Sequence, residues 1–315
     1  MRSSISSSSG QVTSRPLFYS RLLIALCALV VAALEGGYTY SLTRSGTYHR
    51  VSRQYSEVAQ IQPSHPGELP SVVMVGNSLL LDGVQIDRLR ELTAARIRVY
   101  PLFLEGTAYL DWFYGLSSLF RKGARPDVVM VGLGLDSLLD DGVRQQYAPR
   151  LLFDARDILA LSAETKMDRT VTASMLLAHW STFWNMRHVI RVQLLTHGLP
   201  YFEHLYLSDL WSHLRSKRVV PVGSADEAEA VARLQRLRDL CAAYGARVVL
   251  LVPPTPTSPT SVERLTSLTA ESRVDTLMPV NPAGLDAKYF RADDIHVNED
   301  GAALFTDALA SALTH

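Results

Sequence analysis

From residue 71 onward the apolar positions fall into two alternating patterns. Short runs at 72–75, 97–100, 128–131, 248–252 and 274–280 are rich in β-branched residues and continuously hydrophobic. Strands buried on both faces read this way, whereas strands with one wet face alternate. Between the runs the apolar residues recur at helical spacing. Ile86, Leu89 and Leu92 mark one helix, and Tyr109, Phe113, Leu116 and Phe120 mark another that stops at Gly123. The box Ser224-Ala225-Asp226-Glu227 predicts the start of a helix carrying Val231, Leu234, Leu237 and Cys241 and ending at Gly245. Thr260-Ser261-Val262-Glu263 predicts a further start. Asn298 is placed to cap a last helix with Leu304, Phe305, Ala308, Leu309 and Leu313 on its inner face. Strand and helix alternating in this way predict a three-layer α/β/α sandwich around a five-stranded parallel sheet, spanning 71–315.

Residues 140–220 break the alternation. They hold Trp180, Trp184 and Trp211 and a helical stretch from Ser174 to Leu195, with no strong strand. We expect a mostly helical insertion here, a structural cap by default and otherwise a lid or membrane-facing surface.

The N-terminal pattern is different again. Residues 1–16 are Ser-rich and carry no acid, the composition of a disordered segment. An uncharged run of 13 residues, Leu22 to Leu34, follows; with its flanks at 17–19 and 36–40 it approaches the roughly 20 residues of a membrane span. Arg21 can snorkel, and Glu35 is the awkward member. Segment 17–40 reads as an uncleaved signal anchor or as a signal peptide cut after Val31-Ala32-Ala33. The long polar leader favours the anchor. A buried helix of a soluble protein is the bland alternative. Arginines flank both ends, so charge does not set the orientation. Under either export reading the rest of the chain lies outside the cytoplasm. Residues 41–70, charged and then Pro-rich, read as a stalk.

Charge narrows the partners: Lys+Arg and Asp+Glu balance at 31 each, which argues against nucleic acid. Cys27 and Cys241 are too few and too badly placed for a disulfide framework. His179, His188, His197, His204 and His213 contain no pair at i,i+3 or i,i+4 spacing, and no Cys/His cluster occurs, so neither a metal nor a cofactor is expected.

In open α/β sheets ligands bind at the carboxyl ends of the strands. Gly76-Asn77-Ser78 follows the first run directly, so the Ser78 hydroxyl sits where a strand turns into a helix, as a helix cap or as a nucleophile. Near the other end, Asp293 stands three residues before His296 in a loop ahead of a helix. There it can hold the imidazole Nδ1 proton and leave Nε2 free as a base. Gly106, after the second run, can offer a bare backbone N–H to an oxyanion, or simply make a turn.

Taken in order, these segments resemble the SGNH/GDSL hydrolase superfamily, over residues 71–135 and 222–313 but not the insertion. The resemblance implies a flavodoxin-like sheet with Ser78 as nucleophile, His296 as general base, Asp293 orienting it, and the amides of Ser78 and Gly106 binding the oxyanion. The stretch 246–254 is similar to the family's fourth strand and the prolines after it. Two positions depart. Asn77 stands where the family has an acid that orders the turn. In 132–136, Gly-Leu-Gly-Leu-Asp, the family's oxyanion asparagine falls on Leu135 or, shifted by one, on Gly134, and neither can donate from a side chain. Losing such a donor costs about 10²–10³ in rate.

The resemblance implies an extracytoplasmic serine esterase or O-acyltransferase acting on acyl, foremost acetyl, esters of a glycan. Two alternatives stay open: a catalytically weak binding or assembly component of the same fold, and a lipid esterase whose insertion rests on the bilayer.

Overall fold

The computed structural model describes residues 15–199, 201 and 224–314. The serine-rich leader up to residue 14, His204, Trp211, His213 and the last part of the expected insertion lie outside the described residues, as does the side chain of His188.

The chain runs α1 (Arg15–Leu42), α2 (Gly46–Ala59), β1 (Ser71–Gly76), α3 (Ser78–Gly83), α4 (Ile86–Thr93), β2 (Arg98–Phe103), α5 (Tyr109–Arg121), β3 (Val128–Gly132) and α6 (Leu135–Leu139). It continues through α7 (Ala148–Leu151), α8 (Ala155–Glu164), α9 (Arg169–Trp180), α10 (Thr182–Gly198), α11 (Ser224–Ala243), β4 (Arg247–Leu251), α12 (Pro259–Ser272), β5 (Asp275–Leu277) and α13 (Glu299–Thr314). The strands form one parallel sheet in the order β2-β1-β3-β4-β5. The order reverses beside β1, so the switch-point crevice opens between the carboxyl ends of β1 and β3, where Gly76 pairs with Gly132.

All six residues of β1 are buried, and alternate ones feed opposite faces. Val73, Val75, Val129, Val131, Val248 and Leu250 join the larger core with α2, α5, α11 and α12. Val72, Met74, Phe103, Met130 and Leu251 pack with Leu80, Leu89, Phe305 and Leu309 of α3, α4 and α13. The expected three-layer sandwich is present.

Four local expectations change. Segment 41–70 is not a stalk. Ser45 caps α2, whose Val51, Gln54 and Val58 are buried against β2. Gln54 accepts from the Phe103 amide at 3.1 Å and Arg50 donates to its carbonyl at 2.6 Å, so α2 closes the open edge of the sheet. The Pro-rich stretch is tied down as well: Ile61 is buried, and Ser64 donates to Asp127 at 2.6 Å. Ser258, not a residue of the 260–263 box, caps α12, because Pro259 takes the first helical position. The helix after Ser78 breaks into α3 and α4. The last strand covers only Asp275–Leu277.

The helical block α7–α10 is no detached lid. Ala148, Leu152, Phe153, Ile158, Leu161, Met175 and Met186 extend the larger core, and Arg121 of α5 meets Asp157 of α8 at 2.6 Å. Helix α1 carries 25 residues, Phe18–Leu42, apolar enough to cross a membrane by length and composition, a test that signal sequences also pass. Its last turns dock on α10. Glu35 accepts from the Ser181 hydroxyl at 2.7 Å and from the Thr182 and Phe183 amides at 2.5 and 3.1 Å, capping α10 from another helix.

Candidate active site

Two glycines bring α3 down onto the sheet. A Cβ on Gly132 or Gly76 would lie 2.2 or 2.8 Å from Leu80 Cδ1, so the Leu80 side chain fits over the strand ends only because both are bare. The chain then turns at Asn77, which caps α3: its Oδ1 accepts from the Leu79 amide at 3.0 Å. Its Nδ2 donates to the Thr107 carbonyl at 3.2 Å, which latches the serine turn to the loop after β2. An aspartate in this place would supply the cap but not the latch. Asn77 therefore both orders the turn and tethers it.

With Asn77 capping the helix, the Ser78 hydroxyl is released from that task. Ser78 Oγ lies 2.9 Å from His296 Nε2, although 218 positions separate them. His296 Nδ1 lies 2.8 Å from Asp293 Oδ2; since an ionised carboxylate only accepts, the imidazole donates there and Nε2 accepts from the serine. Asp293 Oδ1 also accepts from the amides of Ile295 and His296 at 2.8 and 2.9 Å. Burial pushes the Asp293 carboxyl up, but these amides and the His296 ring outweigh it and hold it below the ordinary carboxylate range. The loop is pinned from both ends: Arg291 donates to the His296 carbonyl at 2.8 Å, and Asn298 caps α13 through the Gly301 amide at 3.0 Å.

The opposite wall of the crevice is sparser. Gly106 turns with φ +70°, and the Arg144 guanidinium lies 3.2 Å from where a Cβ would stand. Asp111, fully buried at the start of α5, accepts from the amides of Ala108 and Arg144, both at 3.0 Å. Burial pushes its carboxyl up to about 7 despite those bonds. After β3, Leu135 is buried in the larger core, whereas a Cβ on Gly134 would meet nothing within 4 Å. Of the two positions left open for the family's asparagine, only Gly134 faces free space.

The structure thus brings Ser78, His296 and Asp293 into one hydrogen-bonded line and sets the Gly106 loop against the serine turn. Arg144 also matters to the site but carried no functional signal in the sequence, and the roles of Asn77 and Glu35, noted there as a departure and an awkward charge, emerge only from their distant partners. Among the described residues, no group of three or more His, Cys, Asp or Glu is arranged to hold a metal. Cys27 and Cys241 are free thiols.

No protein-family model and no curated protein sequence matches the chain. Among solved structures it is similar to TesA, at 13% identity over 77% of this chain and 97% of that one, with a TM-score of 0.40. It is similar to a catalytic mutant of Axe2, an acetylxylan esterase from Geobacillus stearothermophilus, at 11% identity over 80% and 96%, TM-score 0.40. A third is LAE5, an α/β hydrolase enzyme from the metagenome of Lake Arreo, at 12% identity over 78% and 95%, TM-score 0.39. Likeness at this level carries no argument, and the chemistry rests on the geometry of the three side chains.

Proposed function

We propose that the chain is a serine esterase or O-acyltransferase that acts on ester-linked acyl groups, foremost acetyl, of a cell-surface or secreted glycan. The observation that carries this reading is the unbroken line from Ser78 Oγ through the His296 ring to Asp293. Ser78 Oγ attacks the acyl carbonyl while its proton passes to His296 Nε2, and Asp293 stabilises the imidazolium. The oxyanion is bound by the amides of Ser78 and Gly106. His296 then protonates the departing sugar oxygen. Water or a second hydroxyl, deprotonated in turn by His296, takes the acyl group from the serine and makes the enzyme a hydrolase or a transferase.

Helix α1 acts as a signal anchor and leaves the domain on the extracytoplasmic face. The length and apolar character of α1 support a membrane helix, and the Glu35 contact ties its last turns to the domain. A second reading, a catalytically weak glycan-binding component, has one observation behind it: no side-chain donor stands at Gly134 or Leu135.

The test treats the full chain, in neutral detergent, with a fluorophosphonate probe and with p-nitrophenyl acetate. The wild type is expected to label and to turn over, and Ser78→Ala and His296→Ala to do neither. Labelling that survives Ser78→Ala overturns the assignment, and a wild type that never labels favours the binding reading.

A further inference from the structure

Many arginines of this chain find acids. Arg50 pairs with Glu105, Arg88 with Asp307, Arg121 with Asp157, Arg233 with Asp141 and Glu229, and Arg236 with Glu164. One cavity gathers three that do not. About 540 Å³ in volume, within the range of ligand sites, it is lined by Arg144, Gln145, Gln146, Asn185, Arg187 and Arg191 among others. No ion pair among the described residues joins any of its three arginines to a carboxylate. Glu105 and Asp111 attract Arg144, but Arg50 shares Glu105, and Asp111 is held by the amides of Ala108 and Arg144 itself. Arg187 uses two donors on the Trp184 carbonyl and Ser174 and lies over the Trp184 ring at 5.1 Å. Its neighbour Arg191 is exposed and repels it. Three guanidinium groups gathered around one cavity, with Arg187 and Arg191 paired to no carboxylate among the described residues, describe a site for an anion.

The cavity also has an address. Arg144 stands over Gly106, and the next residue, Thr107, is latched to Asn77 beside the nucleophile. An anionic group held by Arg144 would therefore sit on the same polymer as the acyl group, on that sugar or one close by. Gln145 and Gln146 add amide donors and acceptors suited to sugar hydroxyls. The geometry points to an acidic glycan as the substrate: the Arg144–Arg187–Arg191 cavity binds its anionic groups, uronate carboxylates or phosphodiesters, and selects it over neutral acetylated polymers. This rests on the esterase or acyltransferase reading above and names its substrate class.

Binding and turnover test it separately. Full-length protein in neutral detergent is titrated calorimetrically with oligogalacturonate, oligo(glycerol phosphate) and neutral xylo-oligosaccharide of equal length. One acidic oligomer is expected to bind at least tenfold more tightly than the neutral one, and which of the two binds identifies the anion. Arg144→Gln and Arg191→Gln should each weaken that binding about tenfold, as should 0.5 M salt. Arg53→Gln, on the far-exposed face of α2, should change nothing. On acetylated oligogalacturonate and acetylated xylo-oligosaccharide, both cavity variants should lower the acidic-to-neutral ratio of kcat/KM. Arg191 makes no hydrogen bond or ion pair among the described residues, so its variant keeps the proposal testable if Arg144→Gln fails to fold. Equal binding of acidic and neutral oligomers, or acidic binding indifferent to both cavity variants, overturns the cavity assignment. If the fluorophosphonate probe never labels while acidic binding follows the arginines, the esterase reading fails and the anion site stands.

Discussion

The crevice between β1 and β3 has two walls built on different principles. On one, Ser78, His296 and Asp293 form a line of side chains in which each polar atom has a partner within 2.9 Å. On the other, Gly106 and Gly134 offer only backbone, and the nearest side-chain cation, Arg144, belongs to a segment outside the sheet. Under the proposed mechanism, proton transfer is specified by side chains and oxyanion binding by amides. The contrast teaches that the two tasks proposed for the site are separable in one fold: one wall is complete in side chains while the other offers only backbone.

The comparison breaks most sharply on the first wall. Asp293→Asn keeps an acceptor for the Ile295 and His296 amides but removes the carboxylate that fixes the His296 tautomer. We expect kcat on p-nitrophenyl acetate to fall about 10³–10⁴-fold with little change in KM. A loss under tenfold would show that this wall is not catalytic.

The next test rebuilds the second wall. Gly134 precedes α6 with φ −81°, a conformation open to any residue, and its Cβ direction is empty. Gly134→Asn should return a side-chain donor to the crevice and raise kcat about 10²-fold. Leu135→Asn, by contrast, places an amide in the core and should destabilise the fold by about 1–3 kcal/mol with no gain in rate. If Gly134→Asn raises the melting temperature and leaves kcat unchanged, its side chain has capped α6 instead.

A smaller perturbation loosens the first wall without touching its chemistry. A Cβ on Gly301 would stand 2.5 Å from the Tyr289 carbonyl oxygen and 2.9 Å from Val297 Cβ, so the His296 loop must move. Gly301→Ala should cost about 1–3 kcal/mol in chemical denaturation and lower kcat through the displaced loop. Gly46→Ala, where a Cβ meets nothing within 4 Å, is the neutral control.

Legibility follows the same division. The strands were readable because both faces of the sheet are covered, which leaves unbroken apolar runs such as 72–75. The histidine wall was readable because Asp293 and His296 are near neighbours in the chain. What was hidden depends on distant partners. Asn77 works through the Thr107 carbonyl, and Glu35, awkward in an apolar run, is the cap of a helix that starts 147 residues later. The stripe of α2 includes Gln54, whose burial makes sense only once it meets the edge amide of Phe103. Arg144 stands in a segment without periodicity, and nothing local links it to Gly106.

The two walls should also respond to pH with opposite sign. Asp111, which ties the Gly106 loop to Arg144, has its folded pKa raised by burial to about 7, against about 3.9 in an unfolded chain. Between those values the native state binds the extra proton. Asp111 therefore contributes stability that is full below about pH 4, falls as pH rises to 7, and is gone above it. Asp293, held below its ordinary value, contributes stability that is present above about pH 4 and is lost as the solution becomes more acidic. From pH 6 to pH 8 the Asp111 contribution falls by about 1 kcal/mol, which corresponds to roughly 2–4 °C in melting temperature. A thermal scan at closely spaced pH values should show that decline in the wild type, and a profile shallower by that amount in Asp111→Asn. A decline that persists unchanged in Asp111→Asn would move the titrating group elsewhere and leave the second wall without its pH response.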